Sequence, residues 1–354
     1  MKICTLILAV WLVQPVSAQI RLQRATADLL FQQYDTLQTS GISVLVIKNG
    51  KKIYDRSFGL SNIETREKTS SLSNYRIASV TKSFTAMAIM MLRDDDRLSL
   101  SDSLTKYFPE TAPYGNTVTI RQLLNHTAGL PNYGNLLPPN QQEPLSDLDV
   151  LNILERQDST LFPPGSRFDY SNSAYVMLGL IIEKASGLPY AEFLQKRIFQ
   201  PLQMEHTTVN NRSGNIANRA YGYSLADGKP IPKDQSIFSY LQGDGGIYSS
   251  THDFYNWDQA LYTEKLITAG TMKETFTESA RRSNAVAYGY GWEIEQRFGL
   301  ERIFHAGGTS GFSSYYVRYP ARKFSIIVFA NQSTGIDLSG YVDALEKIFL
   351  KDAR

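Results

Sequence analysis

Strand-like sequence is confined to the two ends of this chain, and that distribution limits the fold more than any other feature. Ile42–Lys48 is a nearly continuous apolar run with β-branched residues, Asn49-Gly50 follows, and Lys51–Phe58 runs back. Asn-Gly between two such runs predicts a β-hairpin, preceded by a helix near Arg24–Gln38. From Ser79 the period becomes helical. Phe84, Met87, Ala88 and Met91 mark one face of Ser79–Arg93, and Ile89 and Met90 widen it into a buried helix. Thr119–Asn125 reads as a short helix. Ser173–Ser186 reads as a long one, with Ser171, Asn172 and Ser173 as cap candidates and Gly187 as its stop. Tyr190–Phe199 continues the helical stretch. Pro131–Pro144, rich in Pro, Asn and Gln, reads as a long surface loop of the kind that often carries function.

Strand signals return after Arg219: Tyr288–Glu295, Arg302–Ala306, Phe312–Tyr319 and Phe324–Ala330, followed by an amphipathic helix over Leu338–Leu350. The fold class expected is therefore α/β of the α+β type: an antiparallel sheet flanked by helices, built from both ends of the chain, with an inserted, mainly helical part. The expected division is a sheet domain of residues 19–78 plus 215–354 and a helical domain of residues 79–214, with the active site between them.

The first residues predict export. Lys2 is the positive end, Ile3–Val13 is an apolar run too short to span a bilayer as a helix, and Val16-Ser17-Ala18 offers small residues for cleavage. Residues 1–18 are thus expected to be a signal peptide and the protein periplasmic or secreted. The single cysteine, Cys4, lies inside that segment, so the exported chain relies on its core and not on disulfides. The formal net charge of +2 in 354 residues gives no reason to expect a nucleic-acid partner, and no later apolar run is long enough for a membrane span.

Three short motifs carry chemistry: Ser79-Val80-Thr81-Lys82, Tyr170-Ser171-Asn172 and His305-Ala306-Gly307, the last followed by Gly308. Ser79 can attack a carbonyl, Lys82 or Tyr170 can take its proton, and the glycines can leave space for an oxyanion. Each motif has decoys. Ser103-Leu104-Thr105-Lys106 repeats the first pattern in a polar stretch ending at Pro109. Ser79 instead opens a buried helix, where its backbone N–H is free of the helix ladder and the helix dipole favours a developing anion. Tyr114-Gly115-Asn116 and Tyr133-Gly134-Asn135 repeat the second pattern in glycine-containing loops, where such residues are ordinary turn formers. His305-Ala306-Gly307 is unique and lies at the end of an expected strand, where glycines let another backbone approach. His126, His206 and His252 show no metal-ligand spacing, so no metal or cofactor is expected. The Gly-x-Ser-x-Gly elbow of an α/β-hydrolase is missing.

Taken together, these motifs resemble the serine β-lactamase and penicillin-binding protein superfamily, in its class C-like branch of β-lactamases, DD-peptidases, D-aminopeptidases and β-lactamase-like esterases. The resemblance spans roughly residues 25–350. It includes Leu123–Pro131, Phe162-Pro163-Pro164-Gly165, Gly243–Ser250 and Tyr288-Gly289-Tyr290-Gly291-Trp292. It implies an acyl-enzyme on Ser79, proton transfer through Lys82 and Tyr170, and support from Asn172 and His305. It also implies an oxyanion hole made by the backbone N–H groups of Ser79 and Gly308, beside Gly307. Ala306 stands where threonine is common in relatives, and its absent hydroxyl normally helps hold a substrate carboxylate. Ester, amide or D-amino-acid peptide bonds are accordingly expected as substrates ahead of β-lactams, with peptidoglycan fragments among the candidate partners. The competing expectation is a catalytically silent protein that binds cell-wall fragments on the same fold.

Overall fold

The computed structural model describes residues 13–210 and 215–350. Its centre is an eight-stranded antiparallel sheet. We label its strands β1 (Ile42–Lys48), β2 (Lys51–Phe58), β3 (Ala280–Arg281), β4 (Ala287–Tyr288), β5 (Glu293–Arg297), β6 (Leu300–Thr309), β7 (Phe312–Tyr319) and β8 (Phe324–Ala330). The spatial order is β3-β4-β5-β6-β7-β8-β1-β2. The two ends of the chain meet where β1 pairs with β8, Ile42 opposite Ala330 and Lys48 opposite Phe324. Asn49 and Gly50 turn the β1–β2 hairpin with φ of 50° and 70°, as a two-residue primed turn requires.

The apolar runs of β1 and β8 are continuous because both faces of the sheet are covered. Val44, Val46, Ile326 and Val328 face the layer formed by α1 (Val13–Leu30) and α5 (Leu338–Phe349). Leu45, Ile47, Ile327 and Phe329 face the opposite core, which contains α2 (Thr81–Asp94), α3 (Asn172–Ser186) and α4 (Thr251–Ala260). In α5 the buried residues Leu338, Val342, Leu345 and Phe349 recur at helical spacing. Between the β2 and β3 segments the chain is mostly helix and loop, with small strand pairs such as Tyr75–Arg76 against Ile247–Ser249.

Several boundaries differ from the sequence expectation. The N-terminal helix is Val13–Leu30, followed by a 3-10 turn at Gln32–Tyr34. It ends early because Phe31 and Tyr34 turn inward as the chain approaches β1. That helix continues past Ala18, and most of the expected signal segment lies outside the described residues. The Tyr288–Glu295 run is not one strand. It splits into β4 and β5 around a tight turn in which Gly289 N–H donates to Trp292 O at 2.9 Å. There the backbone at Gly291 lies against the Lys82 carbonyl, leaving no room for a Cβ. The strand expected at Arg302–Ala306 instead extends through Thr309, so the His305-Ala306-Gly307 motif lies within β6 and is not a turn. Pro131–Pro144 is a loop with one 3-10 turn at Tyr133–Asn135. Among the described residues no helix is long and apolar enough to cross a membrane.

Candidate active site

Ser79 lies in a 3-10 turn, Ala78–Val80, immediately before α2, and not in the α-helix itself. Ala78 enters that turn with φ +48°, a left-handed conformation costing a non-glycine residue on the order of 1–3 kcal/mol. Strand β6 presses on this turn from the sheet side. A Cβ on Gly307 would fall 3.0 Å from Ser79 N and still closer to Ile77 O and Ser314 Oγ, so only glycine fits. Ser314 Oγ, on β7, donates to Ile77 O at 2.6 Å and fixes the other side of the turn. Gly308 meets nothing within 4 Å of an added Cβ and opens onto a cavity of about 320 Å³.

Lys82 is fully buried one helical turn on from Ser79. An ammonium has three N–H donors and no acceptor, and Lys82 Nζ finds three acceptors: Ser79 Oγ at 3.1 Å, Asn172 Oδ1 at 2.8 Å and the Asp244 main-chain oxygen at 2.8 Å. The ring centroids of Tyr170 and Tyr175 lie 5.0 and 5.4 Å from Nζ. Among the described residues no carboxylate forms an ion pair with it. A buried charge held only by neutral groups is costly, and such an arrangement is characteristic of a reacting centre.

The second motif arrives at the start of α3. Ser171 is the N-cap, its Oγ accepting from Ala174 N–H at 3.4 Å, and Asn172 is the first helical residue. With Oδ1 turned to Lys82, the Asn172 amide N–H₂ is left for the cavity, which Asn172 lines. The Tyr170 ring packs on His126, with centroids 4.3 Å apart. Its hydroxyl has no hydrogen-bond partner among the described residues. The structure thus gathers Ser79, Lys82, Tyr170, Asn172, Gly307 and Gly308 into one place. His305 is also there but turned away from the cavity. It is buried, its ring is 6.4 Å from that of Tyr170, and both ring nitrogens bond within the protein. Burial and the Lys82 charge lower its pKa to about 3.

Beyond Phe304, β6 has no partner on the β5 side, since β5 begins at Glu293 opposite Phe304. Among the described residues the backbone from His305 to Thr309 thus has no strand partner on that side, and Gly308 and Thr309 line the cavity. The other walls come from the three loop segments around the site: Tyr133 from 131–144, Ser236, Phe238, Asp244 and Gly245 from 236–245, and Thr309 and Ser310 from 309–314. Sequence reasoning set Tyr133 aside as a turn residue, yet it is buried and donates from Oη to Asp244 Oδ2 at 2.8 Å. Burial, with Asp244 adding to it, pushes the Tyr133 phenol far up, so it remains a donor. Arg76 was missed as well. It lies three residues before Ser79 and donates to Ser239 Oγ at 2.7 Å and Phe238 O at 3.2 Å, tying that wall to the nucleophile turn. His126 was weighed and given no role, and Tyr288 was marked only as part of a block; no spacing rule joins residues so far apart.

The Beta-lactamase family model matches residues 27–348. Penicillin-binding protein 4* of Bacillus subtilis (strain 168) is 33% identical over 327 residues, covering 88% of this chain and 72% of that protein. Protein flp of Staphylococcus aureus (strain MW2) is 29% identical over 318 residues, covering 85% of this chain but 63% of its own length. The octameric penicillin-binding protein homologue from Pyrococcus abyssi matches with a TM-score of 0.80 at 28% identity, covering 96% of this chain and 77% of that one. D-amino acid amidase from Ochrobactrum anthropi SV3, complexed with D-phenylalanine, matches with a TM-score of 0.80 at 24% identity, covering 96% and 100% of the two chains, which is a likeness of fold. With an antiparallel sheet built from both chain ends, a buried Ser-x-x-Lys turn and a family match over nearly its whole length, this chain belongs to the beta-lactamase family.

Proposed function

We propose that the protein is a serine hydrolase that works through an acyl-enzyme on Ser79. The observation that carries this reading is the 3.1 Å contact between Lys82 Nζ and Ser79 Oγ at a buried lysine without a carboxylate partner. The attack requires Lys82 as the neutral amine, its third proton having passed to solvent water. Ser79 Oγ then bonds to the substrate carbonyl carbon as its own proton passes to Lys82 Nζ. The Asn172 and Asp244 oxygens hold Nζ in place during the transfer. Negative charge develops on the carbonyl oxygen, which accepts from the backbone N–H groups of Ser79 and Gly308. Such donors are worth about 3–4 kcal/mol each in the transition state. Tyr170, in ring contact with Lys82, gives its phenol proton to the leaving group and takes one back from Lys82, the C–O or C–N bond breaks, and water later releases the acyl group. The Asn172 amide donates to the acyl portion.

The substrate class we propose is an ester, an amide or a D-amino-acid peptide, cell-wall fragments included. Ala306 provides no hydroxyl on β6 for a substrate carboxylate, which disfavours β-lactams and D-Ala-D-Ala termini. The 33% identity to penicillin-binding protein 4* supports the serine hydrolase reading, while the choice within this range rests on Ala306. We further propose that the protein acts after export, on the pattern of Lys2, the apolar run and Val16-Ser17-Ala18. The deciding experiment treats the protein with a fluorophosphonate and maps the adduct by mass spectrometry. The expected result is one covalent adduct, on Ser79, together with turnover of short-chain nitrophenyl esters or D-alanyl amides above that of a chromogenic cephalosporin. If neither a fluorophosphonate nor a labelled penicillin leaves any adduct, the silent binding protein is the correct reading.

A further inference from the structure

Behind Tyr170, on the side away from the cavity, three neutral side chains connect the two walls of the site. His126 brackets Tyr170. Its main-chain oxygen accepts from Asp169 N–H at 2.8 Å, and its Nδ1 accepts from Ser171 N–H at 3.2 Å. The residues on either side of Tyr170 are therefore tied to one histidine, whose ring also stacks on the phenol. His126 Nε2 lies 3.2 Å from Tyr288 Oη, Tyr288 Oη lies 3.1 Å from His305 Nε2, and His305 Nδ1 lies 2.7 Å from the Ala306 main-chain oxygen.

The main-chain groups at the two ends fix the tautomers of both imidazoles. A backbone N–H can only donate, so His126 Nδ1 accepts and its Nε2 carries the hydrogen, which goes to Tyr288 Oη. A carbonyl can only accept, so His305 Nδ1 carries its hydrogen and Nε2 is left to accept. Tyr288 then donates to His305. The Tyr175 hydroxyl also hydrogen-bonds Tyr288 and gives its own proton to Leu124 O at 2.7 Å, so its oxygen is a second acceptor beside Tyr288. Pointing the Tyr288 proton at His305 is the arrangement that leaves no ring nitrogen unsatisfied. Protonating His126 would set its Nδ1–H against the Ser171 N–H, and protonating His305 would turn the Tyr288 hydrogen away to Tyr175. Burial and the nearby Lys82 charge oppose it too, holding both histidines below their ordinary range. The charged groups facing the chain are Lys82 from α2, Arg282 from the turn between β3 and β4, and Glu293 from β5, the last two pairing with each other.

The terminal groups give the chain its significance. One is the peptide joining Tyr170 to Ser171, and the other is the peptide joining Ala306 to Gly307, one step before the proposed oxyanion donor. We propose that His126, Tyr288 and His305 form a proton-ordered ruler that sets the position of the Tyr170 phenol relative to the Gly307–Gly308 strand, and that all three are positioning residues for acyl transfer. This rests on the hydrolase reading above. An aliphatic replacement would fill the space but break the order. Glutamine at His126 keeps an amide N–H for Tyr288, and glutamine at His305 keeps an oxygen to accept from it.

The test uses Tyr288→Phe, which removes one hydroxyl from the core, with His126→Gln, His126→Leu, His305→Gln and His305→Leu. Three readouts are measured: kcat and KM on a nitrophenyl ester, the rate of Ser79 labelling by a fluorophosphonate, and the ¹⁵N shifts of the imidazoles. For Tyr288→Phe, kcat and the labelling rate should fall about 10- to 100-fold, the range expected for a sub-ångström to 1 Å misplacement, with KM changed less than about threefold. Each glutamine variant should retain most of the activity that the matching leucine variant loses. In the unaltered protein, ¹⁵N shifts should report Nε2–H on His126 and Nδ1–H on His305. Full labelling and turnover in Tyr288→Phe, or equal losses for glutamine and leucine, would overturn the ruler. Absence of any Ser79 adduct in the unaltered protein would instead end the hydrolase reading. The tautomers would then decide the ruler alone, and the opposite pair would refute it.

Discussion

Ser79–Lys82 and Ser103–Lys106 share one four-residue pattern and lie in different solvents. Ser103 sits before the short helix Leu104–Tyr107, its Oγ 3.0 Å from Thr105 Oγ1. Lys106 has a half-exposed side chain and pairs with Asp102 at 2.8 Å. Lys82 has no exposure, no carboxylate partner among the described residues and three neutral acceptors, one of them the serine. The pattern supplies only proximity. A buried helix, a strand pressing on the turn and two rings beside the ammonium convert proximity into a proton path.

The largest effect that sharpens this contrast is on turnover. Ser79→Ala and Lys82→Ala should each lower kcat/KM by at least about 10³-fold, and the double variant should be no worse than either single one, since the two act as a unit. Ser103→Ala should leave kcat/KM unchanged. Steady-state kinetics on one ester decides this, and full activity in Ser79→Ala would erase the contrast. Next in size is the fit of β6 against the nucleophile turn. Gly307→Ala puts a methyl into Ile77 O and Ser314 Oγ, and should cost about 1–3 kcal/mol in urea unfolding together with most of the activity. Gly308→Ala, facing open space, should stay within about 0.5 kcal/mol of the parent.

A smaller effect is in pH dependence. The pKa of His305 drops from an ordinary 6.5 to about 3 in the folded protein, so between those values the unfolded chain binds more protons. Its contribution to stability is complete above about 6.5 and is lost as pH falls toward 3, at up to about 1.4 kcal/mol per pH unit. Urea midpoints measured from pH 7 to pH 4 should therefore fall less steeply for His305→Gln than for the parent. The smallest effect concerns the exposed pair: Lys106→Ala should change stability by less than about 1 kcal/mol and kcat/KM not at all.

The sheet and its two chain-end contributions were legible because strands buried on both faces must read as apolar runs, as β1 and β8 do. Ser79, Lys82, Tyr170 and Asn172 were legible because reactive residue types stood at helix starts. What escaped were features made by tertiary contact. The split of Tyr288–Glu295 follows from the backbone of Gly291 lying against the Lys82 carbonyl, which no local propensity encodes. Tyr133 looked like a turn former because its value lies in reaching Asp244, far along the chain. His126 showed no metal-ligand spacing, and its role comes instead from two main-chain contacts that hold Tyr170. His305 carried the right position but an inaccessible ring, because the next carbonyl in its own strand takes Nδ1.

The junction of β1 with β8 has a consequence for biogenesis. Ile42 must wait for Ala330 to be synthesised before the sheet can close, so the N-terminal hairpin spends most of translation with an apolar edge unpaired. Such high sequence separation slows folding and exposes intermediates to aggregation. Loss of the C-terminal segment carrying β8 and α5 would strand that hairpin permanently, so a truncated product should be recovered in inclusion bodies and not as a stable fragment.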